Sequence, residues 1–216
     1  MKKISNPKYS KKEEKLNVLT HAFGLIMSIV GLPFLLLKSL QYNGSWKPLS
    51  IIIFGVSLIV LYAASTFYHA SKDSKLRRKL NIFDHAAIYI LIAGTYSPFT
   101  IIILDGSLGW LIFSCTWAFA FIGIVLKLFY TGRYDKISTA MYILMGWQII
   151  LVINPLIDVF SPEGLRLLFA GGVFYTVGAL IYSSKKIKYN HAIFHVFVLL
   201  GSTSHYLCVY NYILAN

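Results

Sequence analysis

Seven runs of about twenty mostly apolar residues occupy nearly the whole chain, at roughly 17–38, 48–70, 82–104, 108–130, 137–157, 164–182 and 190–213. A helix needs about 20 apolar residues to cross hydrocarbon ~30 Å thick. Short connections separate the runs and leave no room for a separate soluble domain. Only 13% of the residues are charged and 57% are hydrophobic, whereas a soluble domain carries about 25% charged residues. The expected fold is therefore all-α: a polytopic membrane protein with seven transmembrane helices. A basic tail covers 1–15 and the seven-helix domain 16–216. The tail MKKISNPKYSKKEEK ahead of the first run resembles the start of a signal peptide. The run is too long for such a leader and no small-residue cleavage site follows it, so it reads as a retained helix. Cys115 and Cys208 both fall inside apolar runs. They point to packing thiols rather than to a disulfide framework or a thiolate metal site.

The formal charge of +12 raises the question of nucleic acid, which its distribution answers. Lys2, Lys3, Lys8, Lys11, Lys12 and Lys15 precede the first run, and Lys72, Lys75, Arg77, Arg78 and Lys79 fill the second loop. Lys127, Arg133 and Lys136 flank the fourth loop, and Lys185, Lys186 and Lys188 fill the sixth. The other side holds Lys38, Lys47 and Arg166 with Asp105, Asp158 and Glu163. This bias places the N-terminus in the cytoplasm and the C-terminus outside. Its expected partners are membrane lipids, with anionic headgroups drawn to the basic face, and not nucleic acid. Gly171, Gly172 and Gly178 allow close helix contact, and Pro33, Pro98 and Pro155 are candidate kinks. Ordinary packing accounts for all six.

Ionisable residues inside hydrocarbon are costly, so each is a candidate for function. His191 and His195, in HAIFHVFVLL, stand four apart and share one helix face. Two imidazoles so placed can reach one metal ion, and they can equally hydrogen-bond two neighbouring helices. STFYH puts Ser65 and His69 four apart at the end of the second run, and NIFDHAAIYI opens the third with Asp84 and His85. Counted from the nearest basic residue at ~1.5 Å per residue, His69, Asp84, His191 and His195 all lie roughly 5–10 Å inside the cytoplasmic edge. Three neutral imidazoles with an open fourth position suit a catalytic zinc, and imidazole favours zinc over magnesium or calcium. Asp84 could be a fourth ligand, or hold a water whose pKa zinc lowers from ~15.7 to about 7 and take its proton. Ser65 could hydrogen-bond that water, Asp84 or a substrate carbonyl; the alternative is the backbone carbonyl four residues back.

EKLNVLTH adds Glu14, Asn17, Thr20 and His21 at the start of the first run. Residues 14, 17 and 21 share a helix face, where they could support the metal ligands from outside, gate a substrate or simply cap the helix at the interface. His85 points about 100° away from Asp84 and reads as a structural donor. His205, some 15 Å deeper than His195, reads as a helix-contact residue. Tyr96 and Pro98, in AGTYSPF, could shape a cavity halfway along the third run.

The ExxNxxTH, SxxxH, DH, AGTYSPF and HxxxH motifs, in that order along the chain, resemble the hemolysin III branch of the progestin and adipoQ receptor superfamily. The bacterial members of that branch are also called TrhA-type membrane homeostasis proteins. The resemblance implies zinc near the cytoplasmic face of the cell membrane, with His69, His191 and His195 as ligands and Asp84 and Ser65 as water-holding and supporting residues. It also implies kinship with adiponectin receptors and alkaline ceramidases. The expected activity is therefore hydrolysis of a lipid amide (ceramide-like) or ester that enters sideways from the bilayer, contributing to membrane homeostasis. The long N-terminal cytoplasmic region of the animal receptors has no counterpart here, so a hormone-receptor role does not transfer. Two alternatives remain: a lipid sensor with structural zinc, and a pore-forming cytolysin, as the hemolysin label suggests. Against an exported toxin, the chain shows neither a secretion signal nor an amphipathic lytic segment.

Overall fold

Capping side chains in the charged turns, outside the apolar runs, set where two of the helices start. In the computed structural model, which describes residues 9–41, 46–184 and 186–214, Ser10 opens α1 (Lys11–Ser39) by accepting the Glu13 backbone N–H at 3.2 Å. Lys2, Lys3, Lys8 and Lys185 lie outside the described residues. Asp73 opens α3 (Ser74–Pro98) in the same way, its Oδ1 accepting from the Leu76 N–H at 2.7 Å. Lys75, Arg77, Arg78 and Lys79 therefore form the first turns of α3 rather than a loop. Long basic side chains are good helix formers, and apolar-run reading misses them. Replacing Asp73 by alanine is expected to cost about 1 kcal/mol, read as faster amide hydrogen exchange in the first turn of α3 with α4 unchanged.

The remaining helices are α2 (Trp46–Ala70), α4 (Gly106–Tyr130), α5 (Asp135–Gly146), α6 (Ile153–Val159), α7 (Pro162–Ser183) and α8 (Asn190–Cys208). α3 and α8 each run on into a π-helical turn, Phe99–Ile103 directly after Pro98 and Val209–Ile213. The fifth crossing is broken: a 3₁₀ stretch, Gln148–Val152, joins α5 to α6. Pro155 has no N–H to give the Leu151 carbonyl, which fits an interruption there. Pro33 sits inside α1 without interrupting it. Seven segments are long and apolar enough to cross a membrane, and no strand occurs among the described residues.

α1 packs on α2, α2 on α3, α3 on α4 and α7 on α8, while α1 against α8 closes the ring. The buried stripe of α1 is Glu13, Asn17, His21, Gly24, Ser28, Gly31, Leu35 and Ser39; Leu19, Phe23, Ile26, Val30 and Leu37 face outward. Polar inside and apolar outside is the arrangement a hydrocarbon solvent favours. Buried Ser28, Ser57, Ser97 and Thr116 donate to carbonyls of their own helices, which satisfies their hydroxyls. His205 has the helix-contact place expected of it, its Nε2 lying 3.0 Å from the Leu168 carbonyl of α7. A Cβ on Gly171 would land on that imidazole, so the glycine lets α7 and α8 close. The buried Cys208 thiol donates to the Gly164 carbonyl. Cys115 departs from expectation: it is exposed, because α4 turns one face away from the bundle.

Candidate metal centre

At the end of the bundle where α1 begins, α2 and α7 finish and α3 and α8 start. His69 lies in the last turn of α2, and His191 and His195 lie in the first turns of α8. The Asn190 side chain donates to the Tyr182 and Ser184 carbonyls at 2.8 and 3.1 Å, tying the start of α8 to the end of α7. The three imidazoles are buried, and one ligand atom from each lies within 4.8 Å of the others. Among the described residues no other group of His, Cys, Asp and Glu side chains is arranged to share an ion. Their rings stand at 70–74° to one another with centroids 4.5–5.1 Å apart, so edges converge rather than faces stacking.

Each ring has an outer partner. His69 Nδ1 donates to Glu14 Oε2 at 2.7 Å; His191 Nδ1 lies 2.6 Å from the Tyr9 hydroxyl; His195 Nδ1 lies 3.3 Å from both the Asn17 carbonyl and Thr20 Oγ1. With the protons on Nδ1, every Nε2 is free to ligate, which is how metal-binding histidines are usually held. His69 Nε2 and His191 Nε2 then face each other at 3.2 Å with lone pair toward lone pair. That contact is repulsive unless a cation joins it. Metal–nitrogen bonds of 2.0–2.1 Å in a tetrahedron put ligand nitrogens about 3.3 Å apart, so the His69–His191 pair already stands at the spacing of such an ion, with His195 within 4.8 Å.

Glu14 also pairs with Arg77. That guanidinium donates to the carbonyls of Tyr68, His69 and Ser71 and lies over the Tyr68 ring, joining the first turns of α3 to the end of α2. Neither Tyr9 nor Arg77 stood out as a site residue in the sequence. The Asp73 cap would have put Arg77 one turn into a helix, and Tyr9 carries no signal beyond its place beside the Ser10 cap. Burial pushes the Tyr9 phenol well above its ordinary pKa, so it meets His191 as a hydroxyl.

The other expected site residues divide. Asp84 is buried on α3 but stands outside the three-histidine group. Ser65 is buried with its hydroxyl beside the Asp84 carboxyl, and it makes no hydrogen bond to the carbonyl four residues back. His21 lies one turn deeper than Asn17 and stacks on His195, centroids 3.5 Å apart and planes 13° apart, with both nitrogens unpartnered. His85 is the donor expected, giving Nδ1–H to the Asn81 carbonyl at 2.8 Å, and its ring also lines the cavity next to the site. That cavity has about 150 Å³ of room for water-sized molecules and is mostly apolar. It runs from His191, His195, Asp84 and Ser65 toward Tyr96 and Trp147. Tyr96 donates to the Gly146 carbonyl and accepts from the Ile149 N–H, so it braces the broken fifth crossing at the cavity wall.

A family model described as haemolysin-III related matches residues 9–206. The chain belongs to the haemolysin-III-related family. The match takes in the three histidines and all their outer partners, from Tyr9 to His195. The chain is 44% identical over 201 residues to the hemolysin-3 homolog of Bacillus subtilis (strain 168), covering 93% of this chain and 94% of that one. It is 42% identical over 203 residues to hemolysin-3 of Bacillus cereus, covering 94% and 93%. Identity is 30% over 211 residues to the monocyte to macrophage differentiation factor of Homo sapiens, covering 93% and 84%. Family membership and the seven apolar helices together make this haemolysin-III protein a multi-pass membrane protein.

Proposed function

We propose that the protein is an integral membrane hydrolase that holds zinc on His69, His191 and His195 and cleaves an acyl amide or ester bond of a lipid. The observation that carries this reading is a ligand-ready histidine cluster at the head of an apolar cavity that also exposes a carboxylate and a serine. Zinc there would supply Lewis acidity, activating water near neutral pH and polarising a carbonyl. The chain supplies the rest. Glu14 and Asn17 hold two of the ligands in orientation, and Asp84 offers oxygens in the cavity to take a proton. Ser65, free of any backbone bond, can donate to a substrate carbonyl oxygen. The apolar walls exclude water and receive an acyl chain. Met145 is the one fully buried side chain of α5 between 136 and 146, which supports a loose wall through which lipid enters sideways. The basic residues at this end of the bundle support a cytoplasmic placement of the site in the cell membrane, and with it a role in lipid balance.

The test is fatty-acid release from labelled ceramide or ester lipid by protein in bilayer nanodiscs. Asp84→Asn is expected to lower turnover at least about 100-fold while retaining metal, as loss of a general base does; His195→Ala should lose both. Unchanged turnover in metal-stripped wild type would refute hydrolysis by this site. Direct ligation by Asp84 would have closed the coordination and favoured a sensor with structural zinc; its place outside the cluster supports catalysis. The name of the Bacillus cereus relative favours a second reading, membrane lysis. Dye leakage from vesicles that persists with His69→Ala would support that reading and detach it from the metal.

A further inference from the structure

Of the outer partners of the three imidazoles, Tyr9 is the one that precedes α1. The Ser10 cap sets its place. Ser10 has an extended backbone (φ −64°, ψ 156°), its side chain accepts from Glu13 and its carbonyl accepts from the Glu14 N–H at 2.9 Å. The residue ahead of it therefore leaves the helix. Its ring settles against two of the histidines, with centroids 4.8 Å from His191 and 5.9 Å from His69.

We propose that Tyr9 is a positioning residue for the metal: its hydroxyl oxygen accepts the Nδ1 proton of His191 and so holds that ring with Nε2 toward His69. The inference rests on the metal reading above. The Tyr182 and Phe194 rings also border His191, with centroids at 5.2 and 6.1 Å, and meet it edge to face. Such contacts confine an imidazole without selecting which edge points inward. A half-turn about its terminal bond exchanges each nitrogen with a carbon, and that would take Nε2 away from the cluster. The 2.6 Å contact with Tyr9 is the polar interaction that distinguishes the two orientations.

The probe is cobalt(II), added to metal-stripped full-length protein in detergent and followed by its visible d–d absorption and by chelator competition. Tyr9→Phe removes one oxygen and keeps the ring packing. It is expected to weaken cobalt about tenfold and to shift the absorption band, with the melting temperature of the metal-free protein unchanged. An affinity and spectrum identical to wild type would overturn the inference. So would a weaker affinity with an unshifted band and a lower metal-free melting temperature, since that pattern makes Tyr9 structural only. Wild-type protein that takes up no cobalt would overturn the metal reading as well, whereas normal wild-type uptake with an indifferent Tyr9→Phe overturns this inference alone.

Discussion

His191→Ala and His195→Ala proteins, purified in the same detergent as wild type, are expected to hold less than about a tenth of an equivalent of zinc where wild type holds about one. The expectation follows from the shape of the cluster. Two of its nitrogens already stand at the spacing of a tetrahedral site, and each ring is pinned from outside by one or two groups. Removing one of three imidazoles leaves two nitrogens to hold the ion, and in His195→Ala it also strips His21 of its stacking partner. His205→Gln is the control, because His205 is another buried histidine on the same helix whose partner is a backbone carbonyl. It should keep full zinc and lose about 1–3 kcal/mol of stability, the cost of disturbing a buried hydrogen bond. Elemental analysis decides the matter. Equal zinc in wild type and His195→Ala would remove the metal centre, and with it the proposed chemistry.

Much of this was legible in the chain, and what was not has physical reasons. The number of crossings follows from apolar length alone, because hydrocarbon thickness is a hard constraint. That the three histidines gather at one end of the bundle could be read from the basic residues close to each of them along the chain. Helix starts were harder: α1 and α3 begin on charged residues, where the Ser10 and Asp73 caps decide and hydropathy is silent. Pro155 was only a candidate kink, with ordinary packing the expected account, and the extent of the break depends on Tyr96 bracing the Gly146–Ile149 backbone from α3. Glu14, Asn17 and His21 fall at helical spacing, yet they do different things. Glu14 and Asn17 touch imidazole Nδ1 atoms, whereas His21, a turn further in, lies flat on His195. Arg77 could not be assigned from the chain, since its partner Glu14 is brought to it by the packing of α1 on α2 and α2 on α3.

That packing supports a second large effect. Gly94→Val is expected to lower the melting temperature by about 5–10 °C and to weaken zinc binding, although residue 94 touches no part of the site. Gly94 on α3 faces Ser57 on α2 so closely that a Cβ would fall on the serine side chain and come within 3.3 Å of the Ile53 carbonyl. Ser57 cannot readily swing away, because its hydroxyl is bonded to the Phe54 carbonyl at 2.7 Å in a fully buried setting. A branched side chain must therefore push the two helices apart, a strain of about 1–3 kcal/mol that corresponds to a shift of several degrees in a chain of this length. Asp84 lies about 15 Å along α3 from that contact, and His69 lies still further along α2. Splaying the pair at Gly94 therefore moves the Glu14–Arg77 clamp and the His69 ring relative to α8. Gly146→Ala provides the comparison, since a Cβ there meets nothing within 4 Å; it should melt with wild type and bind zinc normally. If Gly94→Val also melts with wild type, close approach of α2 and α3 is not what holds the two sides of the site in register.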